Sequence, residues 1–350
     1  MSDPENNERI LPNYRFRFII LIAAVCFCAL FSLGVGRFSI SMSDVIGILI
    51  SNILSLINAS PVDETWDYAM NSVVMNIRLP RILAALLVGA ALSTAGAAYQ
   101  GMFQNPLVSP DILGASAGAG FGAALAIYFS LGSSAVTIFA FTGAITAVGV
   151  AYGISRLTKG SPILGMVLAG ILVGSLFSAS LSYIKLIADT TEQLPAITYW
   201  LMGSLSAATM SDVFYAGPLI IAGLIPLVLL KWRLNILTLG EDEAKSMGVN
   251  TTLLRVVVIG CATLVTAVAV AISGIIGWVG LVIPHFCRMV FGYDYRIIIP
   301  ASIFMGGGFL LLVDDFARTM ASIEVPLGIL TAFVGGPIFA YLLIINGRRS

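Results

Sequence analysis

Ionisable side chains are scarce in this 350-residue chain, and their positions give the first clue to its chemistry. Asp314, Asp315 and Arg318 form one tight group inside an apolar run. Arg318 follows Asp314 by four residues and Asp315 by three, so on a helix the three can pair locally. An acid within a membrane span is also a candidate for moving an ion. No second acidic motif completes a DDxxD metal pair, which argues against prenyl transfer. His285 is the only histidine and has no companion acid, so hydrogen bonding suits it better than proton relay. Cys26, Cys28, Cys261 and Cys287 lie in apolar runs without metal-ligand spacing and read as small filler. No GxxxxGK[ST] phosphate loop is present, so the chain cannot itself bind and hydrolyse ATP. No resident metal, cofactor or nucleic-acid partner is expected.

The densest polar stretch is Leu237 to Asn250, a charged island between two long hydrophobic blocks. Gly240, Glu241, Glu243, Ala244, Lys245 and Gly248 are its central residues. The spacing predicts a short helix, a glycine turn at Gly248, and capping of the next helix by Asn250 and Thr251. Such a segment is either an ordinary solvated loop or the handle by which a soluble partner grips the protein and transmits rigid-body motion.

The elements that position these residues follow from composition. Hydrophobic residues make up 58% of the chain and charged ones 10%, and the mean hydropathy is +0.99. Soluble domains are far more charged, so this is an all-α polytopic membrane protein. Residues 1–17 read as a polar tail. Ten spans are expected, at about 18–35, 82–103, 110–131, 135–155, 162–187, 213–231, 255–274, 275–291, 297–316 and 327–346. Each is near the roughly 20 residues that cross a bilayer. With the N-terminus inside, thirteen Lys and Arg fall on the cytoplasmic side and five outside. That split predicts both termini, and the island, in the cytoplasm.

Two outer segments are long enough to carry structure. Residues 38–80 hold an amphipathic run (Met42 to Ile57) and then Asp63, Glu64 and Asp67; residues 188–212 hold a short interfacial helix around Tyr199 and Trp200. Arg78 and Arg81 would share a helical face at the entry of the second span, with Pro80 in the first turn. With Arg318 they are outer arginines that either dock an acidic external partner at a rim or snorkel to the interface. After that span, Gln104 to Gly114 contains two turn signals, and Asp111 is placed in the first turn of the next helix. Two ladders of small residues recur at intervals of four. Gly114, Gly118 and Gly122 form one; Gly170, Gly174, Ser178 and Ser182 form the other. They suit close helix packing, and the second also suits a smooth pathway wall or a dimer seam. Arg81 with Leu107-Val-Ser-Pro110, and Arg255 with Leu281-Val-Ile-Pro284, repeat at one offset of 174 residues. Five intervening spans would invert the second copy, so helices 2–5 and 7–10 form a possible inverted repeat.

Six groups of residues, in order along nearly the whole chain, resemble one family. They are Arg78-Leu-Pro-Arg81, Leu86-Leu-Val-Gly-Ala-Ala91, Gln104-Asn-Pro106, Gly240-Glu-x-x-Ala244-x-x-x-Gly248, Gly280-Leu-Val-Ile-Pro-His285, and Pro326-Leu-Gly328 with Gly336-Pro337. The family is the FecCD-type permeases, membrane subunits of type II ABC importers in the cytoplasmic (inner) membrane. The resemblance implies a homodimer or paralogous heterodimer, two cytoplasmic ATPase subunits and an external substrate-binding protein. It makes the segment 237–250 of the transmembrane domain 18–347 the ATPase coupling element. It assigns Arg78, Arg81 and Arg318 to docking the binding protein, and places the translocation path along the fifth and tenth spans. The implied cargo is a ferric siderophore or other iron complex, with cobalamin or another corrinoid, haem, and molybdate or tungstate as alternatives. An ion-coupled secondary transporter is the remote rival, and the sparse charges within the spans oppose it.

Overall fold

The computed structural model describes residues 14–56, 66–158, 162–321 and 323–347. Most of the expected polar tail, and Asp63, Glu64, Lys159, Arg348 and Arg349, lie outside the described residues. The first helix begins at Tyr14, inside the stretch expected to be tail, because Tyr14 to Arg17 contain no Gly or Pro and run directly into the apolar stretch.

The elements in chain order are α1 (Tyr14–Gly34), α2 (Met42–Leu56) and α3 (Tyr68–Ser72), which passes through a π-helical turn (Val73–Arg78) into α4 (Leu79–Met102). Then come α5 (Ala115–Tyr128), α6 (Ser133–Leu157), α7 (Pro162–Ile187), α8 (Gln193–Leu201) and α9 (Met210–Leu229). The remainder is α10 (Lys231–Leu237), α11 (Glu241–Ser246), α12 (Thr251–Ser273), α13 (Val279–Phe291), α14 (Tyr295–Thr319) and α15 (Leu327–Gly347). Every expected span contains a helix. Among the described residues seven helical segments are long and apolar enough to cross a membrane. The expected spans at 110–131 and 275–291 are shorter than read, 14 and 13 helical residues. At about 1.5 Å per residue each covers only some 20 Å. The lost length is turn: Gly114 (φ 80°) interrupts the first, and Gly274 (φ 66°) and Trp278 (φ 70°) the second.

The centre of the bundle is α4, whose apolar window is 83% buried. Its small residues let neighbouring backbones approach it closely, which is how helices associate where lipid removes the hydrophobic drive. A methyl group on Gly89 would strike the carbonyl of Gly306 on α14, and one on Gly96 the carbonyl of Gly280 on α13. Ser93 Oγ donates to Ser302 O at 2.6 Å, so α4 and α14 run antiparallel from Arg81–Asp314 through Gly89–Gly306 to Gly101–Tyr295. On another side Tyr99 Oη meets Thr263 Oγ1 of α12 at 3.2 Å. The first glycine ladder packs as expected: Gly118 and Gly122 close α5 onto Gly143 and Phe139 of α6.

The ends of α8, α12 and α15 that the sequence places outside are joined by backbone. Ser204 N donates to Ser273 O at 2.8 Å, Leu327 N to Gly203 O at 2.9 Å and Gly328 N to Met202 O at 3.0 Å. Gly203 (φ 72°) and Gly274 permit this knot between α8, α12 and α15. Two of the three described non-glycine residues with positive φ, Gln104 and Trp278, are separated by the same interval as the two sequence tags.

Gly96→Leu should prevent α13 from seating on α4. We expect a loss of at least about 2 kcal/mol by overpacking, seen as a lowered melting temperature in detergent. Gly149→Ala, whose added methyl meets open space, should change stability by no more than roughly 0.5 kcal/mol.

Candidate functional site

The island folds as its sequence predicts. α11 is six residues long and is bounded by Gly240 (φ 136°) and Gly248 (φ 79°). At its end Gly248 N donates to Lys245 O and Val249 N to Ala244 O, both 2.9 Å, the paired bonds of a Schellman cap. Ala244 is fully buried and Val249 nearly so, which fixes the inner face. Asn250 Oδ1 caps α12 by accepting from Leu253 N at 3.0 Å. Asp242, Glu243, Lys245, Ser246, Met247 and Gly248 are left exposed on the opposite face.

Glu241 differs from its neighbours, because its carboxylate turns inward. It lies 2.7 Å from Arg255 Nη2 on α12 and 3.0 Å from Lys245 Nζ, and accepts from Thr251 Oγ1 at 3.4 Å. The hydrogen bonds from Arg255 and then Lys245 hold its pKa down at about 2. Two further ties secure the segment just before α11. Gln104 Nε2 donates to Leu237 O at 2.6 Å, and Asn235 Oδ1 accepts from Tyr295 N at 2.9 Å.

The three outer arginines are not rim residues. Arg78, Arg81 and Arg318 are 3%, 5% and 6% exposed, and internal partners occupy them. Arg78 and Arg81 take different partners beside Arg318. Arg78 turns to the chain after α1, donating to Leu33 O at 2.5 Å and to Phe38 O. Arg81 reaches Asp314 at 2.8 Å and Glu324 at 2.9 Å. Arg318 pairs with Asp315, as the spacing predicts, contacts Ser32 and lies 3.9 Å from Asp314. The link from Arg81 to Asp314 joins residues 233 positions apart, so no local spacing could reveal it. A buried ion left unpaired costs several kcal/mol, which is why every carboxylate in this cluster faces a guanidinium.

The second small-residue ladder divides. Gly170 packs on Ile112 and Leu113, and Gly174 on Gly114, so both hold α7 against the turn before α5. Ser178 and Ser182 lie on the exposed face of α7, with Ser182 Oγ bonded to Ser178 O at 2.9 Å. α15 packs on α13 and α14, with Gly335 against Trp278, and leaves Phe333 and Val334 open. Asp111 sits in the turn before α5 rather than in its first turn, because Gly114 delays the helix. Its carboxylate still accepts from Ser116 N at 2.7 Å.

The FecCD transport family model matches residues 21–345. The molybdate import system permease MolB of Haemophilus influenzae is 37% identical, over 97% of this chain and 96% of that one. A probable iron chelatin transport system permease of Helicobacter pylori is 41% identical over 79% and 83%. A solved structure described as an inward-facing conformation of a metal-chelate type ABC transporter superposes with a TM-score of 0.83. It is 35% identical, over 95% of this chain and 99% of that one. Relatives named for cobalamin and hemin import also match.

Two outcomes test this geometry. Arg81→Met strands the fully buried Asp314 carboxylate and should cost about 3–5 kcal/mol, whereas Arg81→Met with Asp314→Leu should cost less than either change alone. Thermal melts of the purified variants decide it. For Glu241, a folded pKa of about 2 against an ordinary 4.5 means the clasp is fully formed above pH 4.5 and is lost as pH falls towards 2. The melting-temperature advantage of wild type over Glu241→Gln should therefore be constant from about pH 5 to 8 and shrink below that range.

Proposed function

This chain belongs to the FecCD transport family, and on that premise we propose that it imports a metal chelate, an iron complex first among them, across the cytoplasmic membrane. It is a multi-pass membrane protein and an ABC transporter permease subunit, not an enzyme, and a separate ATPase hydrolyses the ATP. We read it as one half of a permease dimer of ten-span subunits with cytoplasmic termini. Cytoplasmic ATPases grip segment 237–250, and an external binding protein delivers the cargo.

The observation that carries this reading is α11. A six-residue helix cannot persist alone in water. Here it is capped, buried on one face and clasped to α12, and it presents Asp242, Glu243, Lys245 and Met247 outwards. That is a rigid knob of mixed charge, suited to a cleft on a soluble partner. The bound state of Asp314 and Asp315 supports the same reading against ion-coupled transport, since neither is an open relay group. The path follows the free faces of α7 and α15, with Ser178 and Ser182 on its wall. These hydroxyls give weak, uncharged contacts and leave affinity to the binding protein. The outer knot, which holds α15 against residues 202–203, fits a state closed to the outside.

A second cargo reading, molybdate or a similar oxyanion, is favoured by the near full-length likeness to MolB. Arg78, Arg81 and Arg318 keep the docking role as a proposal, with existing contacts to be exchanged. A binding protein's carboxylates would have to displace Glu324 from Arg81, and Leu33 and Phe38 from Arg78.

Reconstituted with its ATPase and binding protein, the permease should show ATPase activity stimulated at least about threefold by its cargo, tested with ferrichrome, haemin, cobalamin and molybdate in turn. An iron chelate alone should stimulate; stimulation by molybdate alone overturns the chelate reading. Glu243→Arg or Gly248→Asp should abolish the stimulation while the protein stays in the membrane. Wild-type stimulation in both variants would remove α11 from the coupling role.

A further inference from the structure

We infer that the Glu241–Arg255 pair is a mechanical joint that makes α12 the rod connecting the ATPase-facing helix to the outer end of α15. The inference rests on the coupling role of α11 proposed above and adds the route by which its motion leaves it.

The argument begins with freedom. α11 is flanked by Gly240 and Gly248, both with positive φ, so the covalent chain alone would let so short a helix swivel. Its Schellman cap and buried Ala244 set its shape and depth. Its charged side-chain tie to a long helix is Glu241 to Arg255, at 2.7 Å, reinforced by Thr251. Arg255 is 7% exposed, its Nη2 donates to Glu241, and its buried Nε has no hydrogen-bond partner among the described residues. Glu241 is the carboxylate that reaches it. A buried guanidinium with one carboxylate partner strongly prefers one geometry, which is what a joint requires.

From Arg255 the route is continuous. α12 runs 23 residues from Thr251 to Ser273, about 35 Å at 1.5 Å per residue. Most of its length is buried against α4 and α9, so it moves as a rod. At its far end Ser273 O holds Ser204 N, while the adjacent carbonyls of Met202 and Gly203 hold the first amides of α15. A displacement of α11 is therefore delivered to the outer end of α15 through Glu241, Arg255, α12 and residues 202–204. Without the clasp, the buried Ala244 and the short link through Gly248 to Asn250 still join α11 to α12, but less of the motion of α11 reaches it. Glu241 is thus a positioning residue: Arg255 and Lys245 engage its half-buried carboxylate, and the exposed Asp242 and Glu243 are left for ATPase contact.

The test uses the full permease–ATPase complex with the four native cysteines replaced. Spin labels go on Ser134→Cys and Ile329→Cys, exposed sites near the starts of α6 and α15. The label separation is compared without nucleotide and after trapping with ATP and vanadate. Wild type should show a clear change. Glu241→Gln should reduce it at least roughly threefold, with the ATPase still co-purifying, because the joint and not the docking surface is cut. The exchange Glu241→Arg with Arg255→Glu should restore at least about half of it by re-forming the pair. Glu241→Asp should retain most of it. An unreduced change in Glu241→Gln, or an exchanged pair no better than Glu241→Gln, overturns the joint and leaves ATPase coupling standing. No change in wild type, or loss of the ATPase from Glu241→Gln, strikes the coupling reading of α11 instead.

Discussion

Close backbone contact around α4 is the constraint on which the rest of the structure depends. Lipid is as apolar as a leucine side chain, so helices within it gain little by hiding apolar surface from one another. They associate through dense van der Waals packing and a few hydrogen bonds. In this chain that contact occurs where Gly89 and Gly96 admit the backbones of Gly306 and Gly280, and where Ser93 bonds Ser302 O. The antiparallel register of α4 and α14 then fixes Arg81 opposite Asp314 at one end and Gly101 opposite Tyr295 at the other. The Arg81–Asp314 pair inherits its position from this register.

The outer ion cluster shows the consequence. A guanidinium at the entry of a span would ordinarily reach for water. The register instead sets Arg81 between Asp314 and Glu324, and Arg318 beside Asp315 and Ser32. These pairs tie α1, α4, α14 and the turn before α15 together. A matched buried pair adds little net stability but makes alternative arrangements costly, because each would strand a charge. The cluster therefore specifies one arrangement of the outer ends, and its acids are committed to holding it.

The bundle is unequally packed. α4, α12 and α14 are mostly buried, whereas much of α7 and the described face of α15 is open. In the reading proposed above, the buried helices carry displacement and the open faces meet a second subunit and cargo. A transporter needs both properties, since rigid elements carry displacement and weakly binding walls release what passes.

Much of this was legible in the residues. Composition and periodicity determined an all-helical membrane protein and the place of nearly every long helix, because a bilayer demands about 20 apolar residues per crossing. Local chemistry determined the α11 segment, through the glycine at its end and the cap at Asn250, and the i+3 pairing of Asp315 with Arg318. Gly114 was legible only as a packing residue, and nothing local showed that Gly114 and Gly274 would be turns that shorten the neighbouring helices. What only the tertiary structure decided was long-range: Arg81 with Asp314 and Glu324, Arg255 with Glu241, and the knot of residues 202–204 with α12 and α15. Sequence spacing carries information over about one helical turn. The direction in which Arg81 or Glu241 points is set by helices that meet only once the bundle has packed.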